Sequence, residues 1–276
     1  MEVLVADGMA VEQPFDAAAA GYDAGFSNTQ LGRWLREAVW SHLGRAFGPG
    51  DHVLELGCGT GEDAVWLARR GVRVTATDAS SAMLEVAQSK VAAAGVRDSV
   101  DFVQLDLAAL STDNRQPAIV DGPFDGVSSN FGPLNCLPDR RGVAAALAHS
   151  VRPGGQVVLV LMGPLCPWEI GWHLAHGQPG TAFRRFRAGV EAHAGGGATV
   201  RTWYPSPRRV KSEFRPDFVL RRLVGLAAFL PPPYLGPLMD RWPRTLRRLA
   251  AVDRRLGTVW PWTWLNDHYL VLLERR

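Results

Sequence analysis

The sequence predicts an α/β fold: a doubly wound, mostly parallel sheet with helices on both faces. Three observations predict it. An apolar run, Val53 to Leu56, ends in glycines spaced two apart, Gly57, Gly59 and Gly61, as a buried parallel strand does on entering a tight turn. A second run, Val72 to Thr77, ends on a carboxylate, Asp78. Strand and helix patterns then alternate as far as Met162.

Taken in order, residues 1–13 read as a mobile tail. Residues 15–47 are helical in pattern, with Leu31, Trp34, Leu35, Ala38 and Val39 on one stripe, and Gly48-Pro49-Gly50 ends them. Strand one is Val53 to Leu56. Glu62 and Asp63 then open a helix, where the dipole favours acids, and Ala64, Val65, Leu67 and Ala68 follow. After strand two, Ser80 or Ser81 caps a helix that runs to Ala94 and stops at Gly95. Its buried face is Met83, Leu84, Ala87, Val91 and Ala94. Strand three is Val100 to Leu105, a polar loop covers 108–123, and strand four is Phe124 to Asn130. A helix from Asp139 to Ser150 and strand five, Gln156 to Met162, complete the regular part.

Regularity fades beyond it. Residues 163–213 carry Pro, Trp, His and the run Gly195-Gly196-Gly197, and read as an irregular insertion. Strand six falls within Val219 to Leu230, residues 231–264 are rich in proline and aromatics, and Tyr269 to Leu273 is a last strand. The chain thus divides into the tail (1–13), a regular core with an N-terminal helical lid (14–162), and insertions that form a cap and carry the last two strands (163–276).

Strand, glycine turn, helix, strand and acid make a nucleoside site, because a carboxylate at Asp78 can accept from both hydroxyls of a ribose. A dinucleotide fingerprint needs Gly or Ala at the third position of the motif, and Glu62 stands there. A phosphate loop needs Gly-Lys-Ser/Thr, and no lysine is near. With Glu55 also beside the turn, the site suits a ligand with no phosphates and a positive charge; S-adenosyl-L-methionine fits.

At these residues the chain resembles the class I S-adenosylmethionine-dependent methyltransferases of small-molecule type. The resemblance rests on ELGCGTG (55–61), TDAS with Met83 (77–83), FVQLDL (102–107), FDGVSSNF (124–131) and RPGG (152–155), and covers roughly residues 14–162. It implies a seven-stranded sheet whose last strand is antiparallel. It also implies that Glu55, Gly57, Cys58, Gly59 and Gly61 line the methionine and ribose moieties and that Asp78 holds the ribose. Ala79 and Met83 would pack on the adenine, Asp106 with Leu107 would meet its edge, Asn130 would touch the methionine end, and Tyr22 would cover the cofactor. Plainer readings stand beside two of these: Cys58 as a small buried residue, and Tyr22 as core.

Composition is that of an ordinary globule, 47% apolar and 21% charged. Cys58, Cys136 and Cys166 have no metal spacing and cannot form an even disulfide set, which points to a reducing, cytoplasmic setting. The first thirteen residues hold acids and no base, unlike a signal peptide, and no apolar run reaches the ~18 residues that span a bilayer. Charge is uneven: residues 201–276 hold 15 basic and 6 acidic residues, a balance of +9, so the remainder carries −6 of the net +3. That asymmetry reads as a solvated arginine face, or as a site for an anionic substrate, partner or membrane surface.

Methyl transfer from a sulfonium is an in-line displacement, in which alignment contributes about 7–11 kcal/mol and an oxygen acceptor gains from a general base. An antiparallel last strand would start at the active-site rim, so His268, with Asp267 beside it, is the candidate base; otherwise it caps that strand. His173 and His176 lack a third ligand, so no metal site is expected. Asn130-Phe131-Gly132-Pro133 departs from the Asx-Pro-Pro-aromatic motif of enzymes that methylate base or amide nitrogens, which argues against a nucleic-acid partner. The expected activity is O- or N-methylation of a small or medium organic acceptor. The alternatives are a cofactor-binding enzyme that transfers no methyl, such as a cyclase, and a membrane- or nucleic-acid-associated methyltransferase using the basic C-terminal region. The sequence does not fix the oligomeric state.

Overall fold

A computed structural model describes residues 13–111, 122–235 and 241–276; the proposed tail, but for Gln13, and most of the loop at 108–123 lie outside these. The strands are β1 (His52–Leu56), β2 (Arg73–Asp78), β3 (Val100–Gln104), β4 (Phe124–Ser129), β5 (Val151–Met162), β6 (Val190–Gly195), β7 (Ala198–Thr202), β8 (Phe218–Leu226) and β9 (His268–Arg275). Seven of them form one sheet in the order β3-β2-β1-β4-β5-β9-β8, while β6 and β7 pair as a separate hairpin. Every pair in the large sheet is parallel except those of β9, which runs antiparallel to both β5 and β8. The doubly wound, mostly parallel sheet with an antiparallel last strand is thus the observed architecture.

Covered faces explain the composition of the central strands. All of Val53, Leu54, Glu55 and Leu56 are buried, so β1 has no solvent side to alternate toward. In β5, Val157, Leu159 and Leu161 point into one core with Leu54, Leu56, Phe124 and Leu147. Val158 and Val160 point into the other, with Val39, Leu43, Val53 and Val74. The second core is closed by the helices Gln30–Ala46, Glu62–Ala68 and Ser81–Ala93, and the first by Arg141–Ser150.

Three expectations need correction. The helix read over 15–47 is broken: a short helix, Ala19–Tyr22, passes into a wide turn, Asp23–Ser27, and the long helix starts afresh at Gln30. Thr29 supplies the break, because a side chain that binds nearby backbone competes with helix. Thr29 Oγ1 accepts from the Gly32 amide at 3.0 Å as the N-cap. Thr29→Ala should lower unfolding stability by about 1 kcal/mol in a urea titration with the slope unchanged; an unaltered midpoint would show that the cap contributes nothing.

The insertion at 163–213 is not irregular. It holds the helices Pro167–Ala175, Pro179–Ala182 and Pro207–Glu213 and the β6–β7 hairpin. The aromatic segment at 231–264 holds another helix, Pro243–Leu256. Proline occupies the first position of each of these helices, where its missing N–H has no intrahelical partner to lose and its fixed φ suits the start. Read as breakers, these prolines were starters. Strand five also begins earlier than Gln156, at Val151, with a register shift between Phe124 and Gly126 of its neighbour.

Candidate active site

The glycine turn lies at the carboxyl end of β1, where ligands of open α/β sheets sit. Gly57, Gly59 and Gly61 take φ of +68°, +53° and +79°, values that only glycine adopts readily. Their surroundings differ. A Cβ on Gly57 would stand 2.2 Å from Pro133 Cγ, and one on Gly61 2.9 Å from Ala87 Cβ; a Cβ on Gly59 would meet no atom within 4 Å. The turn is packed at its ends and open at its middle.

Asp78 closes over this turn from the end of β2. Its Oδ2 accepts from the Gly59 amide at 2.8 Å and its Oδ1 from the Ser80 amide at 3.0 Å. Each oxygen keeps a lone pair for a further donor. Burial raises the Asp78 pKa, and the amides of Ser80 and Gly59 oppose that rise. Next to it, the Ala79 carbonyl accepts from Gln104 Nε2. Met83 is buried among Ala18, Ala19, Phe15 and Tyr22. Asp106 is exposed, with its carboxylate on the Ala108 amide, and Leu107 is buried behind it. Cys58 is a buried thiol whose Sγ lies 3.6 Å from the Gly59 carbonyl, and burial pushes its pKa up.

The N-terminal segment packs along this wall. Asp16 accepts from Ser80 Oγ. Asp23 is held by Lys90 Nζ and Thr60 Oγ1, each at 2.6 Å, and Lys90 also reaches Glu62. The tip of the β6–β7 hairpin presses on the same segment, since a Cβ on Gly196 would lie 2.4 Å from the Ala17 carbonyl.

The methionine side of the site was only partly legible. Asp63, read as a first-turn acid, is a hub: Oδ1 accepts from Trp40 Nε1 at 2.6 Å and faces Arg36 at 3.0 Å, and Oδ2 accepts from Asn130 Nδ2 at 2.9 Å. Arg36 was missed. Its signal is an arginine inside the buried stripe of the long helix, flanked by Leu35 and Val39. Around this hub, Arg36 Nε, Glu55 Oε2, Ser128 Oγ and Asn130 Oδ1 are buried without a hydrogen-bond partner. Buried polar groups are seldom left so. Acceptors (Glu55, Asn130) beside a guanidinium donor suit an α-amino acid, ammonium against the first and carboxylate against the second. Burial, aided by Asp63, raises the Glu55 pKa well above the usual carboxylate range.

His268 belongs to the same wall. Rings of Tyr22, Phe26, Phe131 and His268 follow edge to face, with centroids 6.1, 5.3 and 5.7 Å apart. His268 Nδ1 lies 3.0 Å from Asp267 Oδ2, at an angle poor for a hydrogen bond. Asp267 is itself fixed by Arg185 at 2.6 Å, and Arg185 also binds Glu169 at 2.7 Å. Burial opposes ionisation of Asp267, but the charges of His268 and Arg185 outweigh it, and its pKa is held below the ordinary carboxylate value. Cys166, Glu169 and Asp267 converge, yet Arg185 already neutralises both carboxylates. His173 and His176 stay apart from the site: His173 meets Gln178, and His176 meets the Trp172 carbonyl.

Comparison with known proteins places this architecture. Residues 53–155 match the family model described as "Methyltransferase domain". A demethylmenaquinone methyltransferase from Clavibacter sepedonicus is 33% identical over 151 residues, 54% of this chain and 56% of that protein. The methyltransferase GfsG of Streptomyces halstedii is 36% identical over 131 residues, 47% of this chain and 44% of that protein. The matched stretch thus spans about half the length of these relatives. Among solved structures, the CcbJ methyltransferase of Streptomyces caelestis superposes with a TM-score of 0.59, covering 96% of this chain and 98% of that one at 17% identity, a likeness of fold. The fold and the glycine turn define a nucleoside-binding α/β protein of the methyltransferase type. Residues 53–155 are thus a methyltransferase domain, and the fold around them is that of S-adenosylmethionine-dependent methyltransferases.

Proposed function

We propose that the protein transfers a methyl group from S-adenosyl-L-methionine to an oxygen or nitrogen of a small or medium organic acceptor. The observation that carries this reading is the set of unpartnered buried atoms on Arg36, Glu55 and Asn130, one turn from the open face of Gly59 and from Asp78. Together they offer matched partners for an amino acid at one end and a ribose at the other. Bound there, S-adenosylmethionine supplies an electrophilic methyl on a cationic sulfur. Asp78 would hold the ribose hydroxyls, Glu55 and Asn130 the ammonium, and Arg36 the carboxylate. Tyr22 and the lid held by Asp16 and Asp23 would exclude water, so that alignment does most of the catalytic work.

His268 is the proposed base for an oxygen acceptor. Asp267, anchored by Arg185, lies 3.0 Å from Nδ1 and would orient the ring while Nε2 takes the acceptor's proton. Phe131 and Phe26 beside it give the acceptor side an apolar character. A relative named for demethylmenaquinone puts lipophilic quinols first among acceptors to test. The three cysteines are free thiols, in keeping with a cytoplasmic setting, and the arginine-rich surface is not required for this chemistry.

The experiment is formation of S-adenosylhomocysteine with a panel of phenols, quinols and amines. Turnover with one acceptor class supports the reading. Cofactor binding with no turnover on any acceptor would favour an enzyme that uses the cofactor without methyl transfer. With an oxygen acceptor, His268→Ala should lower kcat by 10²- to 10⁴-fold while a nitrogen acceptor is little affected; equal rates with the oxygen acceptor would remove His268 from the chemistry.

A further inference from the structure

The helix Pro243–Leu256 carries two unlike faces. Leu246, Leu249, Ala250 and Asp253 turn inward. The apolar ones pack on Leu31, Leu35, Phe26 and Phe131, and Asp253 accepts from the amides of Ala227 (2.8 Å), Ala228 (2.7 Å) and Phe229 (3.1 Å). The helix is therefore anchored and its apolar side is already used. The other side is arginine. At about 100° per residue, Arg244, Arg247, Arg248, Arg254 and Arg255 fall within an arc of about 120°. All five are exposed, as is Arg241 just before the helix, and no ion pair holds any of them among the described residues. An exposed tryptophan stands at each end of the helix: Trp242 before it, and Trp260, 78% exposed, after it. Val252 and Val259 are exposed alongside.

We propose that this face docks the protein onto an anionic membrane surface, with the arginines against lipid headgroups and Trp242 and Trp260 seated at the interface. Three observations favour a bilayer over other anionic partners. Tryptophan pairs an apolar ring with a polar N–H and settles at headgroup depth. The two exposed rings bracket a basic helix about 21 Å long, one on each side of it in the chain. Residues 1–200 carry net −6, so an anionic plane repels the rest of the molecule and orients this face toward it. Docking here is peripheral: no helix among the described residues is long and apolar enough to cross a membrane. One consequence rests on the proposed methyl transfer: the underside of the helix touches Phe26 and Phe131, so docking brings the acceptor wall next to the lipid.

The test is co-sedimentation of the full chain with vesicles of phosphatidylcholine alone and of phosphatidylcholine with phosphatidylglycerol. The protein should pellet with the anionic vesicles only and be released by salt. Arg244→Gln/Arg247→Gln/Arg248→Gln should weaken partitioning about a hundredfold, near fivefold for each of the three charges. Trp242→Ala/Trp260→Ala should reduce quenching of tryptophan fluorescence by brominated lipid. Both variants should keep wild-type cofactor affinity by calorimetry, which separates failure of docking from failure of the methyl-transfer reading. Equal pelleting with neutral vesicles would overturn the proposal, as would partitioning indifferent to the arginine variant. So would salt-sensitive binding of duplex DNA without binding to vesicles.

Discussion

Asp78→Ala should abolish measurable S-adenosylmethionine binding, lowering affinity by more than 100-fold in calorimetry. The carboxylate is proposed to accept two ribose hydroxyls, and a hydrogen bond to a charged group is worth about 1.5–3 kcal/mol. Two of them amount to about 3–6 kcal/mol, or a factor of at least ~150. The same substitution also removes the acceptor of the Gly59 and Ser80 amides, so the turn itself loosens. Asp78→Asn, which keeps one acceptor oxygen, should fall between the two. The pH dependence has a definite sign. Burial raises the Asp78 pKa, so the ionised form that holds the ribose is lost at a higher pH than for an ordinary carboxylate. Affinity should therefore decline on acidification sooner than a pKa near 3.9 would give. Wild-type affinity in the alanine variant would show that the ribose lies elsewhere.

The largest effect on stability should come from Arg140. Its side chain is fully buried between the loop after β4 and the helix Pro207–Glu213. Nε and Nη2 grip the two carboxylate oxygens of Glu213, and Nη1 donates to the carbonyls of Leu134 (3.2 Å) and Leu137 (2.7 Å). Arg140→Met keeps the volume and leaves Glu213 buried with only the half-exposed Arg209 as partner. Breaking a buried pair on one side costs about 3–5 kcal/mol, a large part of the 5–15 kcal/mol of a typical domain. Arg140→Met/Glu213→Leu should recover much of that loss, because removing both charges leaves neither one stranded. Urea titrations of the three proteins give the values. A loss under 1 kcal/mol for the single variant would show that the pair adds nothing. Through Pro133, which packs over Gly57, the same loop borders the cofactor turn, so cofactor affinity should weaken as well.

The legible parts of this protein are those where one local rule governs. β1 and β2 read clearly because both faces of the sheet are covered, and the turn between β1 and the helix at Glu62 needs glycine at three positions of positive φ. The place of Asp78 was legible too, because it ends β2 beside that turn. The parts that were missed depend on distant neighbours. Arg36 joins the candidate site only because its helix crosses Asp63, 27 positions away in the chain. The Arg185–Asp267 pair spans 82 positions, and nothing near His268 in the sequence announces that its neighbour is anchored. The helices after residue 163 were hidden by proline, whose meaning reverses between the first and the interior positions of a helix. The helix Pro243–Leu256 was the costliest omission. Its arginines show in the sequence as net charge, while the period that separates a buried face from a basic one is masked by the prolines and aromatics around it.

The proposed chemistry rests on one group of residues at the carboxyl edge of β1, β2 and β4. A crystal structure with S-adenosylhomocysteine tests it most directly. The ribose should lie on Asp78, the backbone of Gly59 against the ligand, and the amino-acid end among Arg36, Glu55 and Asn130, with the sulfur facing Phe131 and His268. Density for the ligand anywhere else, with Glu55 and Asn130 still unpartnered, would contradict it.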